Sequence, residues 1–495
     1  MSKKYVLGVD QSTQGTKALL FDELGDLIAR EDLPHRQIID EKGWVEHDPE
    51  EIMKNTVAVL RSVIEKAGID KKDVVTLGIS NQRETAMVWE RESGKPVYNA
   101  IVWQCARGAK ICERIEAEGK ATMIKEHTGL PLSPYFSGAK IAWVLENVSG
   151  AKEKAEAGQL CCGNIDSWLI YNLTGKKEFK TDYSNASRTQ LFDIRNLKWD
   201  EEVCGAFGIP VKCLAQVCDS NSLFGETDLD GYLDSPIPIY SALGDSHGAL
   251  FGQGCHQPGM IKATYGTGSS VMMNIGEKPV ASANGLVTSL AWGMNGKVNY
   301  VLEGNINYTG AVITWIQKDL GLIASAGETS ALAENANPED KTYLVPAFTG
   351  LGAPYWDNDA TASISGISRT TGKAEIVKAA LECIGYQITD IVEVMGKDSG
   401  IDIGELRVDG GPTKNPYLMQ FQSDMARVTV QVPSAEELSG IGAAYAAGLS
   451  AGVYEKEALF ARMKRSKYEP QMDGETRESK YQGWKEAISK VLTKK

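Results

Sequence analysis

The sequence predicts an α/β protein of two similarly built halves, and three observations carry that prediction. Strand-like apolar runs alternate with amphipathic helical segments along most of the chain. At 495 residues the chain exceeds the length at which a single hydrophobic core keeps growing, so two domains are expected. Finally, an apolar segment, a break of small and hydroxyl residues and a second apolar segment occur twice, as "YVLGVDQSTQGTKALLF" at 5–21 and "MIKATYGTGSSVMMN" at 260–274. Thr13 and Thr267 then lie about half a chain apart, as a duplicated strand-turn-strand requires; coincidence between two ordinary hairpins is the alternative.

Taken in order, the first break, Gln11 to Gly15, replaces the two-residue turn of a plain hairpin. With Asp10 just before it, such a turn can aim backbone N–H groups and threonine hydroxyls at an anion. Asp48-Pro49-Glu50-Glu51 reads as an N-cap, a first-turn proline and early acids, opening a helix to about Lys66. Three strands follow, at 74–80, 86–90 and 97–103. In the second half, a helix over 373–396 and a strand over 405–411 repeat the theme. Glycines and a proline cluster in "GQGCHQPG", 252–259, which places the boundary there: an N-terminal domain over 1–252 and a C-terminal domain over 253–495.

Bulk composition excludes several classes of function. With 42% hydrophobic and 24% charged residues the chain is not a disordered or low-complexity one. A net charge of −13 without a basic cluster opposes nucleic acid and anionic membrane surfaces, and favours small-molecule partners. No apolar stretch is long enough for a membrane span, and the start runs straight into a strand with no signal-peptide pattern. Nine cysteines without a C-x-x-C pair fit a reducing cytoplasm, and the five histidines share no metal-ligand spacing with them.

Several polar residues stand where chemistry could be done. Asp245 ends an apolar strand and precedes a small-residue helix start, a position that suits a general base, although an Asp there is more often an ordinary N-cap. "NQRET", 81–85, offers Arg83 as a donor fork and Glu84 as a paired acceptor, a combination that suits a vicinal diol; a solvated pair is the alternative. Trp103 and Tyr135 present aromatic faces that fit the C–H surface of a polyol, or the core. "VDGGPTKNPYLMQFQ", 408–422, reads as strand, double glycine and a helix starting near Asn415, where the backbone can approach a ligand closely.

Together these stretches resemble the FGGY family of carbohydrate kinases. "YFSGAKIAWVLEN" and "ASISGISRTTGKAEIVKAALE" fit the family's patterns closely, and "DQSTQGTK", "GWVEHDP", "NQRET", "VWQ", "TDYSNASRTQLFDI", "YGTG", "FTGLGAPYWD" and "VDGG" follow in the expected order along nearly the whole chain. The resemblance implies two ribonuclease-H-like domains of the actin-like ATPase fold, with the active site in the cleft between them. It further implies ATP and magnesium as cofactors, and a homo-oligomer, dimer or tetramer. By similarity Thr13, Gln14, Gly15 and Lys17 surround the outer phosphates, with Thr267 approaching from the second domain and Gly310, Thr314, Gly411 and Asn415 near the nucleotide. Arg83, Glu84, Trp103, Tyr135 and Asp245 correspond to acceptor positions, Asp245 is the catalytic base, and Asp10 holds magnesium through water.

Within the family the similarity is greatest to the branch that phosphorylates glycerol, and the departures from that branch bear on the acceptor. Ser246 and His247 follow Asp245 where a Gln pair is usual, and Ser270 stands where a Phe packs against glycerol. Ser246 and Ser270 therefore predict a wider, more polar pocket able to take a longer polyol or ketose. Lys17 replaces an Arg, keeping the charge without the fork. The loop before Asp245 lacks the Gly-Gly-Lys-Gly-Gly pattern that binds fructose 1,6-bisphosphate, and it has no histidine for phosphorylation, so neither control is expected. A pentulose kinase acting on xylulose or ribulose is the alternative enzyme, and an actin-like ATPase without a sugar substrate is the remaining one.

Overall fold

The computed structural model describes residues 3–493. Its first half is built on a sheet that starts with β1 (Tyr5–Gln11), β2 (Gly15–Phe21) and β3 (Leu27–Pro34). β1 and β2 are buried along almost their whole length, as strands sandwiched between two layers must be. After helix α1 (Pro49–Ala67) the chain adds β4 (Val74–Asn81), then, past a long excursion, the short β5 (Gly225–Thr227) and β6 (Ile237–Gly244). As the sequence predicts, Asp48 caps α1 by accepting from Glu50 N at 2.9 Å; Gly68 closes it in the left-handed conformation. The order across the sheet is β5-β6-β4-β1-β2-β3, with β1 antiparallel to β2 and parallel to β4, and β4 parallel to β6. Helix α2 (Asp245–Gly252) leaves the end of β6 directly.

The second half repeats this plan. Its strands are β7 (Ile261–Tyr265), β8 (Ser269–Gly276), β9 (Val287–Met294), β10 (Lys297–Ile306), β11 (Glu405–Asp409), β12 (Thr429–Pro433) and β13 (Arg465–Tyr468). They run in the order β9-β10-β8-β7-β11-β12-β13, with β7 antiparallel to β8 and parallel to β11. Thus β3-β2-β1-β4-β6 and β10-β8-β7-β11-β12 share one topology, and the internal repeat read from the two Thr-containing turns is a repeat of whole sheets. Each turn has three residues, 12–14 and 266–268, with Thr13 and Thr267 at their centres. Helices α3 (Gly310–Lys318), α4 (Lys373–Ser399) and α5 (Pro416–Ala426) belong to this half.

A further helix, α6 (Leu438–Ser450), crosses back and packs on α2, β4 and β1 of the first half. The approach is close because glycines line it: a Cβ on Gly248 would come within 2.8 Å of Ser439 O, and one on Gly442 would collide with Gly248 O. An apolar cluster containing Val6, Leu250, Phe251, Met272, Trp292 and Ile441 joins the two halves across this contact. The sequence segment 252–259 starts at the last residue of α2 and otherwise lies between α2 and β7. One local expectation is corrected: of the strand expected over 97–103, only Ala100–Ile101 pairs, and Trp103 lies in a turn. The apolar run there is explained by burial of the excursion's own core, to which Ile101 belongs, rather than by a long ladder.

Candidate active site

Parallel strands carry their chemistry at their C-terminal ends, and both sheets end at one cleft. A cavity of about 740 Å³ is lined from the first half by Asp10, Lys17 and Ala249 and from the second by Thr264, Gly266, Asp409, Gly410 and Gly411, among others. Asp10, next to last in β1, is almost fully buried, and its Oδ1 accepts from Ser80 Oγ at 2.7 Å. Burial raises its pKa to about 6, against the lowering effects of Ser80 and Lys17. Asp245 also raises it, so the two carboxylates feel one another across the cleft. Among the described residues no three His, Cys, Asp or Glu side chains converge as a metal cage. A buried carboxylate such as Asp10 at the edge of a phosphate-sized cleft nonetheless fits a cation held mainly by water and phosphate oxygens.

Lys17 does not point free into the cleft. Its Nζ lies 2.6 Å from Glu437 Oε2, and Arg30 Nη1 lies 2.9 Å from the other oxygen of the same carboxylate. Glu437 precedes α6 in a left-handed conformation (φ 62°), which turns its side chain toward the lysine. Of the other turn residues, Gln14 is exposed and offers its carbonyl to His35 N at 3.4 Å. Gly15 is required by the sheet, since a Cβ there would come within 2.5 Å of Leu33 O on β3. Thr267 is exposed, and its carbonyl accepts from Thr309 N and Ala311 N, which ties the second turn to the start of α3.

A second cavity, about 450 Å³, opens beside the first and shares Gly411 and Lys414 with it. Gly310, Thr314, Gly411 and Asn415 all line it, so the four positions expected near the nucleotide come together. Asn415 caps α5 by accepting from Leu418 N at 3.0 Å, and its Nδ2 donates to Thr329 Oγ1 at 2.9 Å. Thr314 spends its hydroxyl on Gly310 O at 3.2 Å. Gly410 has φ 101° and would collide through a Cβ with Tyr265 O, which accounts for the first of the two glycines after β11.

The expected acceptor residues form a buried charge chain. Arg83 Nη1 and Nη2 donate to the two oxygens of Glu303 at 3.1 and 3.0 Å, and Arg83 Nε lies 3.1 Å from Asp245 Oδ1. Arg188 Nε lies 2.5 Å from Glu84 Oε1, and its Nη1 lies 2.9 Å from Glu303 Oε2. Burial alone would raise the Glu303 carboxyl, but the two guanidiniums overcome it and hold the group well below the usual carboxylate range. Asp245 is not the helix cap: Gly244 occupies that position, and Asp245 Oδ1 instead accepts from Ser246 N at 2.6 Å while the rest of its carboxylate faces the cleft, 35% exposed. Trp103 and Tyr135 meet edge to face with centroids 5.6 Å apart, and burial, with Glu84, keeps the Tyr135 hydroxyl protonated. Ser270 Oγ lies 3.4 Å from Lys262 Nζ, a fully buried ammonium that also donates to Thr264 at 3.1 Å. His247, buried against Arg83, has both ring nitrogens unpartnered, and burial holds it neutral.

Arg188, Glu303 and Lys262 were not among the residues singled out from sequence. A signal existed for two of them: "YVLEGNI" and "MIKATY" each carry one charge inside an apolar strand, and a buried charge must have partners. Arg188 lies within "TDYSNASRTQLFDI", which marks the segment without marking the residue.

Comparison with known proteins agrees with this geometry. The N-terminal domain of the FGGY family of carbohydrate kinases matches residues 5–252, and the family's C-terminal domain matches 261–451. Glycerol kinase 1 of Thermotoga maritima is 50% identical over 491 residues, covering 99% of this chain and 100% of that protein. A glycerol kinase of Alkaliphilus oremlandii is 48% identical over 492 residues, 99% of this chain and 98% of its own. Among solved structures, Plasmodium falciparum glycerol kinase with ADP superposes with a TM-score of 0.93 at 37% identity, covering 99% of each chain. Xylulose kinase of Lactobacillus acidophilus shares the fold, with a TM-score of 0.88 at 20% identity over 99% of each chain. The two sheets of one topology, the cleft between them and these full-length similarities establish that the chain belongs to the FGGY family of carbohydrate kinases, ATP-dependent phosphotransferases of the actin-like ATPase fold.

Proposed function

We propose that this protein transfers the γ-phosphoryl group of Mg-ATP to a hydroxyl of a small polyol, with glycerol the first acceptor and glycerol 3-phosphate its product. The observation that carries the reading is the buried chain Asp245, Arg83, Glu303, Arg188 and Glu84, which draws on both halves and leaves one carboxylate, Asp245, facing the cleft. Such a chain fixes donors and acceptors without later reorganisation, which is what orienting a diol requires. An actin-like ATPase without a sugar substrate has no evident need for it.

Phosphoryl transfer depends mostly on alignment and charge neutralisation. In this reading the acceptor oxygen attacks the γ-phosphorus in line, ADP leaves, and Asp245 takes the hydroxyl proton as the bond forms. Arg83, with Nε 3.1 Å from Asp245, orients that carboxylate, and Arg83 with Glu84 offers donor and acceptor to neighbouring hydroxyls. Trp103 and Tyr135 cover the carbon face. The turn at Thr13, Gln14 and Gly15, Lys17 and Thr267 would meet the outer phosphates, and Gly310, Thr314, Gly411 and Asn415 the rest of the nucleotide. A magnesium ion, held at Asp10 through water, would supply charge neutralisation across the phosphates. We place the protein in the cytoplasm as a homo-oligomer; nine free thiols are consistent with a reducing compartment, and among the described residues no helix is long and apolar enough to cross a membrane.

One observation favours a second reading. Ser246 and Ser270 are small, and Ser270 borders the Lys262 ammonium, which supports a longer acceptor such as a tetritol or pentulose. The deciding experiment is ADP release with Mg-ATP against glycerol, erythritol, threitol, ribitol, xylitol, xylulose and ribulose, with a control lacking acceptor. Highest kcat/KM for glycerol supports the first reading, and highest kcat/KM for a longer acceptor replaces it. Equal ADP release in the control overturns the kinase assignment in favour of a plain ATPase.

A further inference from the structure

We propose that Trp103 positions the phosphate turn as well as walling the acceptor pocket: its indole N–H sets the direction in which the Thr13 hydroxyl donates, and so couples acceptor binding to nucleotide binding. The inference rests on the kinase reading above. Trp103 Nε1 donates to Thr13 Oγ1 at 3.0 Å. An indole N–H can only donate, whereas a threonine hydroxyl carries one proton and two lone pairs. With a lone pair taken by Trp103, the Thr13 proton is directed away from the indole, and among the described residues it has no protein acceptor. It is left for an anion at the turn.

The rest of the turn is held by the same network. Gln37 Nε2 donates to Thr13 O at 2.6 Å, and Gln37 Oε1 lies 2.8 Å from His47 Nε2. An amide oxygen only accepts, so His47 carries its proton on Nε2, and its Nδ1 accepts from Gln82 Nε2 at 3.3 Å. Burial, with His35 beside it, holds the His47 pKa to about 3, so this tautomer persists at neutral pH. Gln82 Nε2 also donates to Gln11 Oε1 at 2.9 Å, and Gln82 Oε1 accepts from Thr85 Oγ1 at 2.8 Å. Thr85 Oγ1 in turn accepts from Trp103 N at 3.2 Å. Trp103 is therefore tied to the turn twice, through its side chain directly and through its backbone by way of Thr85 and Gln82. On its other side the indole meets Tyr135. An acceptor lodged against this pair cannot move the indole without moving the Thr13 hydroxyl.

Calorimetry with a non-hydrolysable ATP analogue and magnesium, with and without glycerol, tests the coupling in wild type, W103F, T13V, T13S and W103F/T13V. Without glycerol, W103F and T13V should each weaken analogue binding about tenfold, the loss of one hydrogen bond to a charged ligand. The double variant should bind no more weakly than either, and T13S should bind as wild type. Glycerol should raise analogue affinity in wild type and T13S and in neither single loss variant. Additive losses in the double variant, T13S as weak as T13V, or W103F affected only in glycerol KM would overturn the inference. If W103F does not fold, judged by circular dichroism, the T13V and T13S pair with and without glycerol decides alone. Absence of analogue binding to wild type would overturn the kinase reading itself, whereas additive losses overturn only the coupling.

Discussion

Replacing Glu303 with Gln should uncouple the two halves of the charge chain, at a cost that the geometry allows to be estimated. Glu303 is 1% exposed and accepts from Arg83 at 3.1 and 3.0 Å, with Arg188 at 2.9 Å. In wild type, two buried guanidiniums face two buried carboxylates, Glu303 and Glu84, with Asp245 at the rim. The variant keeps the shape but leaves both guanidiniums to Glu84 and the half-exposed Asp245, and turns an amide NH2 toward a cation. Removing one partner of a buried pair costs about 3–5 kcal/mol. For a domain of roughly 250 residues that is a fall in Tm of roughly 6–20 °C. The Glu303 carboxyl is depressed in the fold, so its contribution is fully present above the unfolded value and is lost only as pH falls through the folded one, well below the usual carboxylate range. The destabilisation should thus be seen at pH 7 and should shrink in strong acid. Calorimetric scans of E303Q, and of E303Q/R188Q, which removes a cation together with the anion, provide the assay. The double variant should recover part of the loss. An E303Q protein that melts with wild type at pH 7 would refute the reasoning.

The remaining predictions concern the cleft. D245N should lower kcat by at least about a hundredfold while leaving binding of an ATP analogue largely intact; near-normal turnover would remove Asp245 as the base. E437Q releases Lys17 from its 2.6 Å partner and should tighten Mg-ATP binding about threefold, read as KM for ATP at saturating glycerol; weaker binding would mean that Glu437 positions the lysine rather than competes for it. D10N should abolish turnover yet stabilise the nucleotide-free fold above pH 6. The Asp10 pKa is raised from 3.8 to about 6, so its ionised form costs stability above pH 6, on the order of 3 kcal/mol, and that cost shrinks as pH falls from 6 and is gone only below the unfolded value of 3.8. Equal Tm for D10N and wild type at pH 8 would contradict that account.

Much of this protein was legible in the chain because the signals were local. The cap at Asp48, the helix read over 373–396 and observed over 373–399, and the break between two apolar strands all follow from neighbours in sequence. The repeat was visible as two Thr-centred turns, although its full extent, five strands of matching topology, required the pairing itself. The strand over 97–103 misled because an apolar run reports burial and not ladder pairing, and here the burial comes from packing within the excursion. Gly15 also has a packing reason that no motif announces: a Cβ there would come within 2.5 Å of Leu33 O in the sheet.

By itself, then, the sequence determined the α/β class, the two halves, the two Thr-centred turns and the family whose motifs include Arg83, Glu84, Trp103 and Asp245, because periodicity, turn chemistry and motifs are short-range properties of a chain. Only the tertiary structure decided who partners whom. Glu303 meets Arg83 across 220 residues, Glu437 meets Lys17 across 420, and α6 returns to pack on the first sheet. Those contacts are fixed by the burial of charge, which forces each ion to find its opposite wherever the fold brings one within reach, and by glycines that let two helices approach closely enough to bring it there.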